Sequence, residues 1–185
     1  MIHIFDAAVC PDTDTLQILR DQRVMAGGGY LGGAAQHVWT TTEWRRLQQS
    51  QILPLPIWVA PYESWFHEMG AIAGNAALDV LQSLHLTSLV VLDVEEGYQV
   101  GVEYVRGFGD ALRAGDCDLA LYAVSSDLRY MGPQVPHLFT WAANPGAGWT
   151  FLGDDTMAWQ YAFHPFYDLS VADNTIPTAK WSGDL

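Results

Sequence analysis

Short apolar runs alternate with helix-length amphipathic segments along this chain, and that alternation restricts it to a largely parallel sheet covered by helices. IHIFDAAV (2–9), VMAGGGYL (24–31), ILPLPIWVA (52–60), SLVVLDVE (88–95) and DLALYAV (118–124) read as strands. Between them DTDTLQILRDQ (12–22), TTTEWRRLQQS (40–50), GAIAGNAALDVLQSLHL (70–86) and YQVGVEYVRGFGDALRAG (98–115) read as helices. Thr40 and Glu43 stand at capping-box spacing. The two prolines of ILPLPIWVA predict a strand close to a bend or an edge.

Past residue 130 the helical patterns fade. HLFTWAA (137–143), MAWQYAF (157–163) and YDLSV (167–171) read as strands joined by loops rich in Gly, Pro and Asn. Eight strand segments, the first five separated by helices, predict an α/β fold. The expected form is a single TIM-like (β/α) barrel over residues 1–185, with shortened or missing helices in the C-terminal third. An open doubly wound sheet is the other arrangement that this order allows. No composition break, linker or repeat divides the 185 residues, and half of them are hydrophobic, enough for one well-filled core.

The run VVLDVEEG (90–97) places carboxylates where a core strand ends. Alternate strand residues share a face, so Val91, Asp93 and Glu95 point one way and Leu92, Val94 and Glu96 the other. Asp6 has the equivalent place on the first strand, in phase with Ile2 and Ile4. Asp168 comes from the last strand, which neighbours the first in a closed barrel. Four acids, Asp6, Asp93, Glu95 and Asp168, are therefore expected at one mouth, with Glu96 facing away. Crowded carboxyls in a half-apolar setting cannot all ionise, so at least one should be held protonated. An acid beside a second carboxylate is the apparatus for breaking a glycosidic bond. Tyr30, Trp58, Tyr62, Trp141, Trp159 and Tyr161 lie near the same strand ends and are candidate platforms for sugar rings. The alternative for each acid is a solvated strand end or a helix cap.

These segments resemble the glycoside hydrolase family 25 lysozymes and, more closely, the related glycoside-hydrolase-like domains. The resemblance rests on FDAAV with Asp6, YLGG followed by TTTEWRRL, LPIWVA, DVE, LYAVSS and WQYAFHPFYDLSVAD. It implies that Glu95 is the general acid, assisted by Asp93 and Asp6. A last-strand acid follows the W-Q-Y segment, matched here by Asp168, with Asp173 as the alternative. It also implies a polysaccharide substrate of the peptidoglycan type and no cofactor or metal, although a carboxylate-rich mouth is able to attract Ca²⁺.

Other motifs lead nowhere. Gly27, Gly29 and Gly32 match G-x-G-x-x-G, but AAQHVWT follows instead of a helix and position 52 is Ile instead of an acid. His67-Glu68 is not completed to H-E-x-x-H because position 71 is Ala. Ser125 and Ser126 lack a G-x-S-x-G elbow and suit a helix N-cap. Cys10 and Cys117 suggest two reduced thiols.

Eight basic residues against 21 acidic ones leave a charge of −13, which disfavours nucleic acid and anionic membranes as partners. The N-terminus MIHIFDAAV lacks the features of a signal peptide, so a soluble protein is expected, cytoplasmic, or released or virion-associated by another route. The acidic charge and the lack of wall-binding repeats also favour a second reading, a non-catalytic glycan-binding or structural module of a virion or cell envelope.

Overall fold

The computed structural model describes residues 2–87, 89–95, 97–143, 156–163, 166–172 and 180–182, and the side chains of 156, 157, 159 and 161–163 are not among those described. Eight strands form one curled, barrel-like sheet: β1 (Ile2–Asp6), β2 (Val24–Gly33), β3 (Leu53–Val59), β4 (Leu89–Asp93), β5 (Asp118–Ala123), β6 (Leu138–Ala142), β7 (Thr156–Phe163) and β8 (Asp168–Ala172). Each pairs with the next in the chain, and β8 pairs back onto β1. Four helices cross between the first five strands: α1 (Thr13–Asp21), α2 (Thr41–Gln49), α3 (His67–Ser83) and α4 (Val102–Ala114).

The TIM-like barrel with shortened or missing late helices that the sequence predicts forms only in part. Strands β1 to β7 are mutually parallel, but β8 runs antiparallel to both β7 and β1. The connection from β7 to β8 is too short for a crossover helix, so the chain can only turn back. A seven-residue helix, α5 (Ser125–Met131), also follows β5, just before the point past residue 130 where the helical patterns fade. Its N-cap is Val124, and the Ser125 hydroxyl is buried without a hydrogen-bond partner among the described residues, so neither serine has the capping role. No helix among the described residues is long and apolar enough to cross a membrane.

Strand alternation sorts the apolar residues into two layers. Ile4, Leu89 and Val91 fill the barrel interior, while Phe5, Val90 and Leu92 face the helices. Burial on both faces explains why LVVL reads as an unbroken hydrophobic run. In the interior the Trp141 ring is accommodated by small neighbours, Ala26, Ala120, Ala158 and Ala172. Strand β3 is central, but its prolines fall where only β2 is beside it. Gly27 faces Pro54 and Gly29 faces Pro56, whereas pairing with β4 begins at Ile57.

The glycine run of β2 is a packing device. A methyl group on Gly27 would meet the Phe5 ring at 2.5 Å, and one on Gly29 would meet the Trp39 ring at 2.4 Å. On the interior face a methyl at Gly28 would meet Asp6 Cβ at 2.7 Å, so this glycine leaves room for the Asp6 carboxyl.

Helices α3 and α4 touch backbone to backbone. A Cβ on Gly70 would lie 2.0 Å from the Tyr104 carbonyl oxygen, and one on Gly107 would lie 2.0 Å from that of His67. Gly107→Ala should therefore destabilise by about 2–3 kcal/mol in urea unfolding through overpacking, although Ala is the better helix former by about 1 kcal/mol. Gly132→Ala, with open space around it, should be close to neutral. Equal effects of the two substitutions would refute this account of the helix pair.

Candidate active site

The parity read from the sequence holds. Asp6 ends β1 and Asp93 ends β4, both on the interior face above Ile4 and Val91. Asp168 opens β8, and because that strand runs the opposite way its first residue reaches the end of the barrel where the others finish. Asp168 is the direct cross-strand partner of Asp6. Residues so paired have Cβ atoms about 5 Å apart. Glu95 follows β4 and is exposed, and its carbonyl accepts a hydrogen bond from Tyr98 N–H at 3.0 Å across a turn in which Gly97 takes φ +85°.

Two hydrogen bonds lock the strand ends that carry these acids. Ala60 N–H donates to the Asp93 carbonyl and Val94 N–H to the Tyr122 carbonyl, each at 2.9 Å. The Trp39 indole N–H donates to the Ala7 carbonyl at 3.0 Å and so fixes the chain just beyond Asp6.

The four carboxyls form one electrostatic unit. Burial first, then the nearby Asp168 and Glu95 charges, push the Asp6 carboxyl up to about 8. Burial, Glu95 and Asp6 raise Asp93 well above the carboxylate range, and only 3% of this residue is exposed. Tyr30 and Tyr122 are raised by burial and then by all four acids, so both hydroxyls keep their protons. Tyr122 donates to Gln160 Oε1 at 2.6 Å. Asp6 Oδ2, Asp93 Oδ1 and Gln160 Nε2 are buried without a hydrogen-bond partner among the described residues. These are polar atoms held ready inside the mouth. At neutral pH such a cluster holds fewer charges than carboxyls, so it can supply a proton at one oxygen and a negative charge at another.

Asp6, Asp93, Tyr30, Tyr122 and Trp141 line a small interior cavity. Above it opens a cleft of about 400 Å³, lined by Tyr30, Gln36, His37, Glu95, Tyr98 and small side chains. Tyr30 belongs to both and joins them. Tyr62 is exposed and meets the Tyr98 ring edge-on at 5.5 Å, so it stands on the rim.

Two of the expected sugar platforms have other places, one in the helix layer and one beneath the mouth. Trp58 is out of phase with Ile57 and Val59 and packs on Phe108 in the helix layer, with ring centroids 6.4 Å apart. Trp141 is 1% exposed and donates its indole N–H to Ser170 Oγ at 3.0 Å, which makes it the floor of the mouth and closes it to a sugar. Trp159 and Tyr161 belong to β7, but their side chains fall outside those described, as do residues Glu96 and Asp173. Among the described residues no three His, Cys, Asp or Glu are grouped to hold a metal ion.

The sequence reading missed Tyr122, Gln160 and His37. Tyr122 was within reach: it shares phase with Ala120 in DLALYAV and is the register partner of Asp93. Gln160 lies in the W-Q-Y segment on the face of Ala158. Nothing in AAQHVWT signals that His37 lines a cleft.

No protein-family model matches this sequence, and comparison with curated proteins finds no match. The fold, however, is shared with solved structures. An uncharacterized protein of B. stearothermophilus superposes with a TM-score of 0.78 at 18% identity, covering 94% of this chain and 97% of that one. The catalytic domain of an endolysin from a bacteriophage of Listeria monocytogenes gives 0.71 at 16% identity, with 94% of each chain covered. A family 25 glycosyl hydrolase from Bacillus anthracis gives 0.65 at 15% identity, covering 93% of this chain and 88% of that one. The chain thus has a family 25-like fold.

Proposed function

We propose that this protein is a glycosidase that cleaves an amino-sugar polymer of the peptidoglycan type by carboxylate catalysis. The observation that carries the reading is the convergence of Asp6, Asp93, Glu95 and Asp168 on one barrel mouth as a coupled unit, beneath an open cleft. The shared fold adds that its neighbours include an endolysin and a muramidase from Acremonium alcalophilum.

Glu95 is the exposed member and lines the cleft, so it is the group that can reach a glycosidic oxygen. It donates its proton to that oxygen as the bond to the anomeric carbon breaks. Asp93, two residues before it at the end of β4, orients the acetamido group beside the developing positive charge of the sugar ring. Asp6 and Asp168 hold the sugar or the attacking water, whose proton returns to Glu95 as the hydroxyl adds to the anomeric carbon. Tyr30 supplies a hydroxyl donor beside the carboxyls, while the Tyr122 hydroxyl is held by Gln160.

The decisive measurement is reducing-end release from purified peptidoglycan and from chitin oligomers. Release from peptidoglycan is the expected result. Binding of either glycan without release would replace this reading by that of a glycan-binding module on the same barrel.

A further inference from the structure

Beside Glu95 the cleft carries a histidine that no step above uses. His37 follows β2, lines the cleft, and has 40% of its side chain exposed. Its Nε2 lies 3.1 and 3.2 Å from the two carboxylate oxygens of Glu43, the first-turn acid of α2. Glu43 is itself buried and fully engaged. It accepts from Thr40 N–H at 2.7 Å, from the Thr40 hydroxyl at 2.9 Å and from Cys10 N–H at 3.1 Å. Burial pushes the Glu43 carboxyl up, but the bonds from Thr40, His37 and Cys10 outweigh it and hold the group below its usual range.

An ionised carboxylate only accepts, so His37 Nε2 must carry a hydrogen. The tautomer and tilt of the ring are thereby set by a rigid helix cap. Nδ1 is the remaining polar atom of the ring and has no partner among the described residues. A neutral ring presents Nδ1 as an acceptor and a protonated ring presents it as a donor. An amide group satisfies both states, because its N–H donates and its carbonyl accepts. Gln36 lines the same cleft and has the same two-way capacity.

We infer that His37, held by Glu43, is a specificity-determining residue that binds an amide group on a substituent of the sugar lying beside Glu95. The inference rests on the glycosidase reading for its substrate class, and it adds a requirement that the carboxylates do not impose. That amide belongs either to the sugar's own acetamido group or to a peptide attached to the sugar.

The test is calorimetric binding in a Glu95→Gln background, where fragments are not consumed, with and without the further substitution His37→Phe. Four probes are used: chitotetraose, its de-N-acetylated form, and a peptidoglycan disaccharide with and without its stem peptide. His37→Phe should weaken binding about three- to tenfold for the probes that carry the recognised amide. It should leave the affinity of a probe lacking that amide unchanged, with the same melting temperature. The pair that shows the difference identifies the amide. Affinities that His37→Phe leaves unchanged on all four probes, or lowers equally on all four, would overturn the assignment. Probe-selective loss in a protein that releases no reducing ends would retain the His37 contact and remove the hydrolase reading.

Discussion

Glu95→Gln should reduce reducing-end release from peptidoglycan by about 10²- to 10⁴-fold, the range of a lost general acid, with little change in melting temperature. The amide keeps the shape and polarity of the side chain but cannot deliver a proton at the glycosidic oxygen. Glu95 is exposed and lies beyond the last residue of β4, so the fold does not depend on its charge. Its position is set by the backbone turn closed by Tyr98 N–H, which the substitution leaves intact. Asp93→Asn should separate from it in one respect. Asp93 is buried among like charges, so its replacement should lower activity while the stability gained grows as pH rises above the unfolded carboxylate value. A Glu95→Gln protein as active as wild type would end the assignment of this residue as the acid. Loss of binding in parallel with release would mean that Glu95 serves the ground state and not the reaction.

How much of this could be read beforehand depends on the physical rule involved. The two-residue period of strands was sufficient for Asp6 and Asp93, because each ends a run whose alternate members are core on both faces, whereas Glu95 lies past the strand in a turn. The same rule shows Trp58 to be out of phase with Ile57, so its place in the helix layer was available from the pattern. The start of α3 was not. The helix begins at His67, three residues before the expected Gly70, because its N-cap is Phe66 and no polar side chain marks it. Gly70 lies inside the helix because the close approach of α4 requires it there.

The direction of β8 was also beyond sequence reach, and the whole placement of Asp168 turns on it. In an all-parallel barrel the first residue of a strand lies at the end opposite the mouth. Only the short return from β7 brings Asp168 opposite Asp6. Long-range pairing sense is written in connection length and not in residue type. His37 illustrates a further limit: its capping-box partner Glu43 is evident from T-x-x-E, but the cleft it faces is made by the segment after β1, by β2 and β3, and by the turn after β4.

The cluster carries a stability cost that sets the second large prediction. The Asp6 carboxyl ionises near 3.8 when unfolded and near 8 in the fold, so between these values the folded state binds more protons than the unfolded one. Stability should then fall as pH rises through that window, by up to about 1.4 kcal/mol per pH unit for this group alone. Asp93 acts in the same sense. The lowered acids, Asp12, Glu43 and Asp110, act oppositely: their contribution is present above the unfolded carboxylate range and is lost as pH falls through their folded values. Their window therefore lies on the acid side of the one opened by Asp6.

Asp6→Asn removes the charge and keeps the shape. Urea unfolding of both proteins between pH 4 and 8 should show the difference in stability growing with pH in favour of the variant, reaching several kcal/mol at most at pH 8. The same variant should lose activity, since the carboxyl that strains the fold is the one that forces its neighbours to share protons. A wild-type-minus-variant difference that stays flat across the window would show that Asp6 ionises freely in the fold. The four acids would then be neighbours without being a coupled unit.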